Sequence, residues 1–191
     1  MEPRKAAHAI GGAGQRDAQH GERLLVERAR TGDADAFAQL IAPRADRMLR
    51  TAAAIVGSDA EAHDIAQDTL VAAWVHLPQL RDVDRFDAWI GRTLVNNCRQ
   101  SLRRRRREPQ LDLGAAEPSV RDHAAGSVET ASIRAAFQRL SVDDQHILLL
   151  HHLHHLPLDQ IARQLGTPVG TTKSRLWRAR KALERALEAE A

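Results

Sequence analysis

Apolar residues recur at spacings of three and four along most of this chain, and the breaks fall at glycines, prolines and capping residues. From Glu22, the residues Leu24, Leu25 and Ala29 share one helical face, closed by Gly32. Asp33 caps a second helix with Phe37, Leu40 and Ile41 inward, and Pro43 begins a turn or offset. Met48, Leu49, Ala52, Ala53 and Val56 form a third apolar set that ends at Gly57. Ser58 or Asp59 caps the stretch to Leu77, where Ile65, Thr69, Ala72 and Ala73 lie on one face and Asp64, Gln67 and Asp68 on another. Phe86 and Trp89 then stand at i, i+3, followed by Ile90 and Leu94. The period stops from Glu108 to Ala131, where Pro109, Gly114, Pro118 and Gly126 intervene. It resumes in Ile133 to Leu140, and again after Ser141 and Asp144, which form a capping box ahead of Ile147, Leu150 and Leu153. The pattern predicts an all-α chain of two helical domains, residues 22–107 and 132–187. A flexible linker, 108–131, joins them, and a disordered, glycine-bearing tail, 1–21, precedes them.

Composition agrees with helices. Hydrophobic residues make up 43%, enough for a core, but aromatics are only 3% and tyrosine is absent, so alanine and leucine carry the packing. The single cysteine, Cys98, rules out an internal disulfide and suits a reducing cytoplasm. No apolar run approaches the roughly 20 residues of a membrane span, so membrane insertion is not expected. The net charge of +3 is modest, and what matters is where the basic residues cluster.

They cluster in the last helix. The stretch Leu156 to Leu183 splits at Gly166, which suits the left-handed residue past a helix end. Ile161, Ala162 and Leu165 precede it. Thr167-Pro168 follows as cap and first residue of a new helix whose inward stripe is Val169, Leu176, Ala179 and Leu183. Thr171, Lys173, Ser174, Arg175, Trp177, Arg178, Arg180 and Lys181 take the other faces. A short helix, a glycine turn and a basic second helix make a helix-turn-helix, whose second helix enters the DNA major groove. A helical hairpin with a solvated basic face is the plainer alternative, and the full set of features favours DNA.

The residues PVGTTKSRLWRARKAL, Pro168 to Leu183, resemble the recognition helix of region 4 in extracytoplasmic-function sigma factors, usually close to PVGTVKSRLHRARKAL. Thr172 stands where that family prefers valine, and Trp177 where histidine or phenylalanine is common. The resemblance implies that Pro168, Thr171, Lys173, Ser174, Arg175, Trp177 and Arg178 face the promoter −35 element.

A second resemblance lies in the first domain. HDIAQDTLVAAW is similar to EDLVQDTFLRAW, the region 2 helix that docks on the coiled coil of the polymerase β′ subunit. Spacing alone reads Asp64, Gln67 and Asp68 as a solvated acidic face; the resemblance makes them, with Trp74, polymerase contacts. His63 and Leu70 depart from the family pattern. Phe86, Trp89, Ile90, Thr93, Leu94 and Asn97 fall near the next family motif. Spacing favours core packing for Phe86 and Trp89. The resemblance places them, with Asp84, Arg85, Asn96, Asn97 and Arg99, where unstacked bases of the −10 element are received. Five consecutive arginines, Arg103 to Arg107, close that helix, and Arg103 and Arg104 are candidate phosphate contacts.

His151, His152, His154 and His155 invite a metal reading, but no cysteine pair, acidic loop or HExxH pattern completes a site, so no metal or cofactor is expected. The resemblance implies instead that this part of the helix approaches the DNA backbone, which makes His151 a candidate phosphate contact. The resemblance covers both domains in family order. It implies a non-enzymatic, cytoplasmic sigma factor partnered by RNA polymerase core (β′ coiled coil and β flap), promoter DNA and an anti-sigma factor. A stand-alone helix-turn-helix repressor or activator is the alternative, and a histidine-based hydrolase a weaker one.

Overall fold

The computed structural model describes residues 20–107 and 128–189, with backbone only at 128–130, and among these every regular element is helical. The tail up to residue 19 and the linker from 108 to 127 lie outside the described residues.

Helix α1 covers residues 20–30 and stops at Gly32, whose φ of 94° is open to glycine at little cost. Asp33 then caps α2 (Ala34–Val56), accepting from the Ala36 amide at 2.9 Å and pairing with Arg28 at 2.6 Å. The expected break at Pro43 does not occur: α2 runs through it as one helix. Pro43 and Gln39 are exposed, so the carbonyl that loses its donor faces water. On the inner side of the same turn, the Arg44 guanidinium donates to the Leu40 carbonyl at 2.7 Å. Burial of Leu40, Ile41 and Met48 on both sides of the proline outweighs the local defect.

Arg44 also ties the first domain together. It is buried, pairs with Glu22 of α1 and with Asp87, further along the chain, at 2.6 Å each, and lies 5.3 Å over the Phe86 ring. Helix α3 (Asp59–His76) follows Gly57 and is capped by Ser58, as its sequence predicts. Two 3₁₀ turns, Leu77–Gln79 and Val83–Arg85, lead into α4 (Phe86–Arg107). Leu40, Ile55, Leu77 and Phe86 are among the most deeply buried side chains of this core.

The second domain begins with α5 (Val128–Gln138), which starts inside the stretch whose composition reads as linker. Ser141 caps α6 (Val142–Leu148), and its hydroxyl also reaches Asp144 at 2.7 Å, closing the capping box. A π-turn, Leu149–Leu153, extends α6 before α7 (Leu158–Leu165) and α8 (Val169–Glu188). Ile147, Leu148, Leu150, Ile161, Leu176 and Ala179 form its core. The two domains pack on each other: Leu149 belongs to the first core, and Gly166, in the turn between α7 and α8, sits against Ala88 and Arg92 of α4.

Candidate nucleic-acid interface

Helices α7 and α8 are joined by a hydrogen-bonded glycine turn. Gly166 has φ 62°, and the amides of Gly166 and Thr167 return to the carbonyls of Arg163 and Ala162 at 3.1 and 3.0 Å. Pro168 occupies the cap position rather than the first helical residue, one place later than its sequence suggests. The inward stripe also differs. Val169 is 49% exposed, whereas Thr172 is fully buried in line with Leu176 and Ala179. A buried hydroxyl is tolerated there because it donates to the Pro168 carbonyl at 3.1 Å and meets the Thr167 hydroxyl at 2.9 Å. Thr172 therefore closes the turn that presents α8.

The outer face of α8 carries Thr171, Lys173, Ser174, Arg175, Trp177 and Arg178, all exposed, with Pro168 exposed at its start. Ser174 donates back to the Gly170 carbonyl at 2.9 Å, which leaves its oxygen lone pairs facing outward. Lys173, Arg175 and Arg178 present cationic donors along the same helix.

A second surface is the outer face of α3. Asp64, Gln67 and Asp68 are exposed and stand one turn apart. Trp74 is half exposed and rests edge-on against Phe37, ring centroids 5.2 Å apart. The same face continues through Val71 and Val75, each 58% exposed, which sequence reasoning missed. Their i+3 and i+4 spacing from Asp68, Val71 and Gln67 was the available signal.

On α4 the structure separates the candidates for the −10 element. Phe86 is only 1% exposed, under Arg44, and its ring lies 6.0 Å from that of Trp89. It is a core residue and not open to a base. Asn97 is likewise turned inward, donating to the buried Thr69 hydroxyl at 3.0 Å to tie α4 to α3. Arg99 is drawn across to the second domain, where it pairs with Asp143, and also donates to Asn96 at 3.1 Å. Asp84 and Arg85 are exposed but paired, with Arg23 at 3.5 Å and Asp82 at 3.2 Å. Trp89 is half-buried, and Asn96, Arg103 and Arg104 are exposed. Within the arginine run, Arg105 serves the fold: it donates to the Val56 carbonyl at 3.0 Å and pairs with Glu61 at 3.5 Å.

The histidines do not converge. His151 and His152 meet edge-on with ring centroids 4.7 Å apart, and Arg180 donates to His152 Nε2 at 3.3 Å. Burial, then His151 and Arg180, hold the His152 pKa below its ordinary value. His154 turns the other way, to Thr51 of α2. Among the described residues no group of three or more His, Cys, Asp or Glu is placed to hold a metal ion. Among them, too, no helix is long and apolar enough to cross a membrane.

Comparison with known proteins bears on both domains. The family model for sigma-70 region 2 matches residues 40–108, and that for sigma-70 region 4 matches residues 130–183. The RNA polymerase sigma-H factor of Pseudomonas aeruginosa is 32% identical over 184 residues, covering 89% of this chain and 95% of the relative. The ECF RNA polymerase sigma factor SigM of Mycobacterium tuberculosis is 32% identical over 180 residues, covering 94% and 90%. Among solved structures, CnrH in complex with the cytosolic domain of CnrY aligns with a TM-score of 0.62 at 26% identity, over 90% of this chain and 99% of that one. The sigma factor RpoE in complex with the anti-sigma factor NepR from Bartonella quintana aligns at 0.57 and 28%, over 81% and 98%. A stand-alone helix-turn-helix regulator has no reason to carry region 2. With both regions present in order and relatives alike over nearly their whole length, this chain belongs to the ECF RNA polymerase sigma factors, which are transcription initiation factors and not enzymes.

Proposed function

We propose that this sigma factor divides its work among three faces. The outer face of α8 reads the −35 element, with Lys173, Ser174, Arg175, Trp177 and Arg178 reaching base edges and phosphates and Pro168 and Thr171 lining the approach. The exposed part of α4 and the turn before it, Asp84, Arg85, Trp89, Asn96, Arg103 and Arg104, receives the −10 element. The face of α3 bearing Asp64, Gln67, Asp68 and Trp74 docks on the β′ coiled coil of polymerase core, and the second domain meets the β flap. In this reading residues 22–107 and 132–187 are the working units and 108–131 the tether between them. An anti-sigma factor is a further expected partner, since CnrH and RpoE are each solved with such a protein or a cytosolic partner domain.

The observation that carries the reading is the set of exposed residues on α8, Thr171, Lys173, Ser174, Arg175, Trp177 and Arg178, presented by the hydrogen-bonded Gly166–Thr172 turn. A cation that forms a bidentate pair with guanine discriminates by about 1–3 kcal/mol, whereas a phosphate contact weakens all sequences alike. Arg178→Ala and Lys173→Ala should both lower promoter binding, and at least one should flatten preference within the −35 element. Binding to single-base −35 variants at fixed salt tests this. If both variants keep the full wild-type preference and affinity, α8 is not the reader.

A further inference from the structure

The seam between the two domains is built around two histidines that neither DNA reading nor polymerase docking uses. His146, on α6, is buried and faces Gly91 of α4, with its Cε1 within 4.0 Å of where a Cβ on Gly91 would lie. The small space beside it is lined by Met48 and Thr51 of α2, Ile90 and Leu94 of α4, and Leu150. His154, in the π-turn, places Nε2 2.9 Å from the Thr51 hydroxyl of α2. Around them the domains are joined by Arg99 with Asp143, by Gln138 donating to the Ala54 carbonyl at 2.9 Å, and by Gln164, whose carboxamide lies 3.0 Å from Arg47 and accepts from it once its oxygen is assigned to that side.

The charges facing the pair are mostly positive. Arg44 and Arg47 of α2 and Arg99 of α4 approach His146, with Asp87 of α4 and Asp143 of α6 as the carboxylates and His154 as a further base. Arg47 and Arg50 of α2 face His154, with Asp46 opposing them and His155 beside it. Adding a proton to either imidazole therefore puts a cation beside arginines, in a dry seam at His146 and a partly solvated one at His154. The Thr51 hydroxyl does not oppose this, because it can donate to a neutral ring or accept from a protonated one.

We propose that this seam is a proton-released latch: His146 and His154 hold the two domains closed while both are neutral, and protonating them opens the chain. Burial, joined by His154, Arg99 and Arg47 at His146 and by Arg47, Arg50 and His155 at His154, pushes both histidines down to about 4 in the closed arrangement. Parting the domains returns them to water, near about 6.5. The sign follows. A base whose pKa is depressed by closure supports closure fully above about 6.5, and that support is lost progressively as pH falls towards the closed-state value of about 4. Between about pH 7.5 and about pH 6.0 each histidine raises the open-to-closed ratio about fourfold, and the two together about fifteenfold.

The latch has a consequence if the proposed promoter contacts hold. Elements named −10 and −35 lie about 25 base pairs apart, or about 85 Å of duplex at about 3.4 Å per pair. Two helical domains in direct contact do not span that, so only the open chain reads both. The latch itself rests on the seam alone and stands or falls without the DNA reading.

Single-molecule energy transfer on the full chain tests it, with dyes on Ala60→Cys in the first domain and Glu188→Cys in the second, both exposed. Cys98 is buried with its thiol pushed up to about 12, so it stays unlabelled. The open-to-closed ratio should rise about fifteenfold from about pH 7.5 to about pH 6.0, and less than twofold in the His146→Gln, His154→Gln double variant. That comparison subtracts every other titrating group. If the double variant does not close at the higher pH, the half-exposed His154→Gln alone should respond about fourfold instead of fifteenfold. A wild-type ratio that changes less than twofold, an absent open fraction at the lower pH, or an equal response in wild type and His154→Gln overturns the latch.

Discussion

Arg44 shows how a single residue decides whether three helices meet at one point. Its guanidinium is the common partner of Glu22, Asp87 and the Phe86 ring, and it is itself buried. Removing one partner of a buried ion pair leaves uncompensated charge and costs roughly 3–5 kcal/mol. Here both carboxylates keep some solvent, which sets the expectation at the lower end. Arg44→Met should cost about 3 kcal/mol in urea unfolding, and a loss below about 1 kcal/mol would mean the cluster is ornamental. Cys98 gives a second residue-scale check. Its thiol is buried and its pKa raised, chiefly by burial, so a thiol reagent at mildly alkaline pH should react with it only after unfolding. Fast labelling of the native chain would contradict its placement. At this scale the sequence was legible where local chemistry decides, as at Asp33, Ser58, Ser141 and Gly166. At Phe86 the spacing correctly indicates core packing, while the family resemblance, which places Phe86 and Asn97 at the −10 element, meets side chains consumed by packing and by Thr69. Thr172 was hidden for a related reason. A polar residue at an inward position is explained by its partners, the Thr167 hydroxyl and the Pro168 carbonyl, and no spacing rule reports those bonds.

Among the elements, α2 departs most from its sequence. Pro43 reads as a break, yet the helix continues because the freed carbonyl is on the wet side and the apolar residues on both flanks are buried. An interior proline costs a helix about 3 kcal/mol, offset by up to about 1 kcal/mol of reduced unfolded-chain entropy. Pro43→Ala should therefore raise stability by about 2 kcal/mol; a decrease would show that the proline shapes a bend the core requires. Helix α3 was read correctly as an element, and its acidic row is exposed as expected. The apolar continuation through Val71 and Val75 was not foreseen, because valines at helical spacing look like core until the fold shows which face is covered. If this face docks polymerase, Val71→Asp should weaken binding to core by at least about tenfold, as expected for an apolar anchor within an interface, with helical content unchanged. Equal affinity would confine docking to the carboxylates.

At the scale of the whole molecule, the order of helices and the two-domain division were legible in the periodicity, because amphipathic spacing and caps are local. The contact between the domains was not. His146 sits in an ordinary apolar run, and nothing in that run says that α2 and α4 will cover it. Such a seam depends on where two finished surfaces meet, and the intervening residues 108–127 lie outside the described structure. The proposed docking and reading faces came from the family resemblance, and each is a strip on a single helix whose outward residues can be counted along the sequence.

Run-off transcription with purified bacterial core polymerase tests the account most directly. Core alone should give no defined start on a double-stranded template containing the cognate promoter. Core with this chain should give one, and the Asp64→Arg, Asp68→Arg double variant should lose it while still binding −35 DNA through α8. A defined start from core alone, or an undiminished one with the double variant, would contradict the division of labour between α3 and α8.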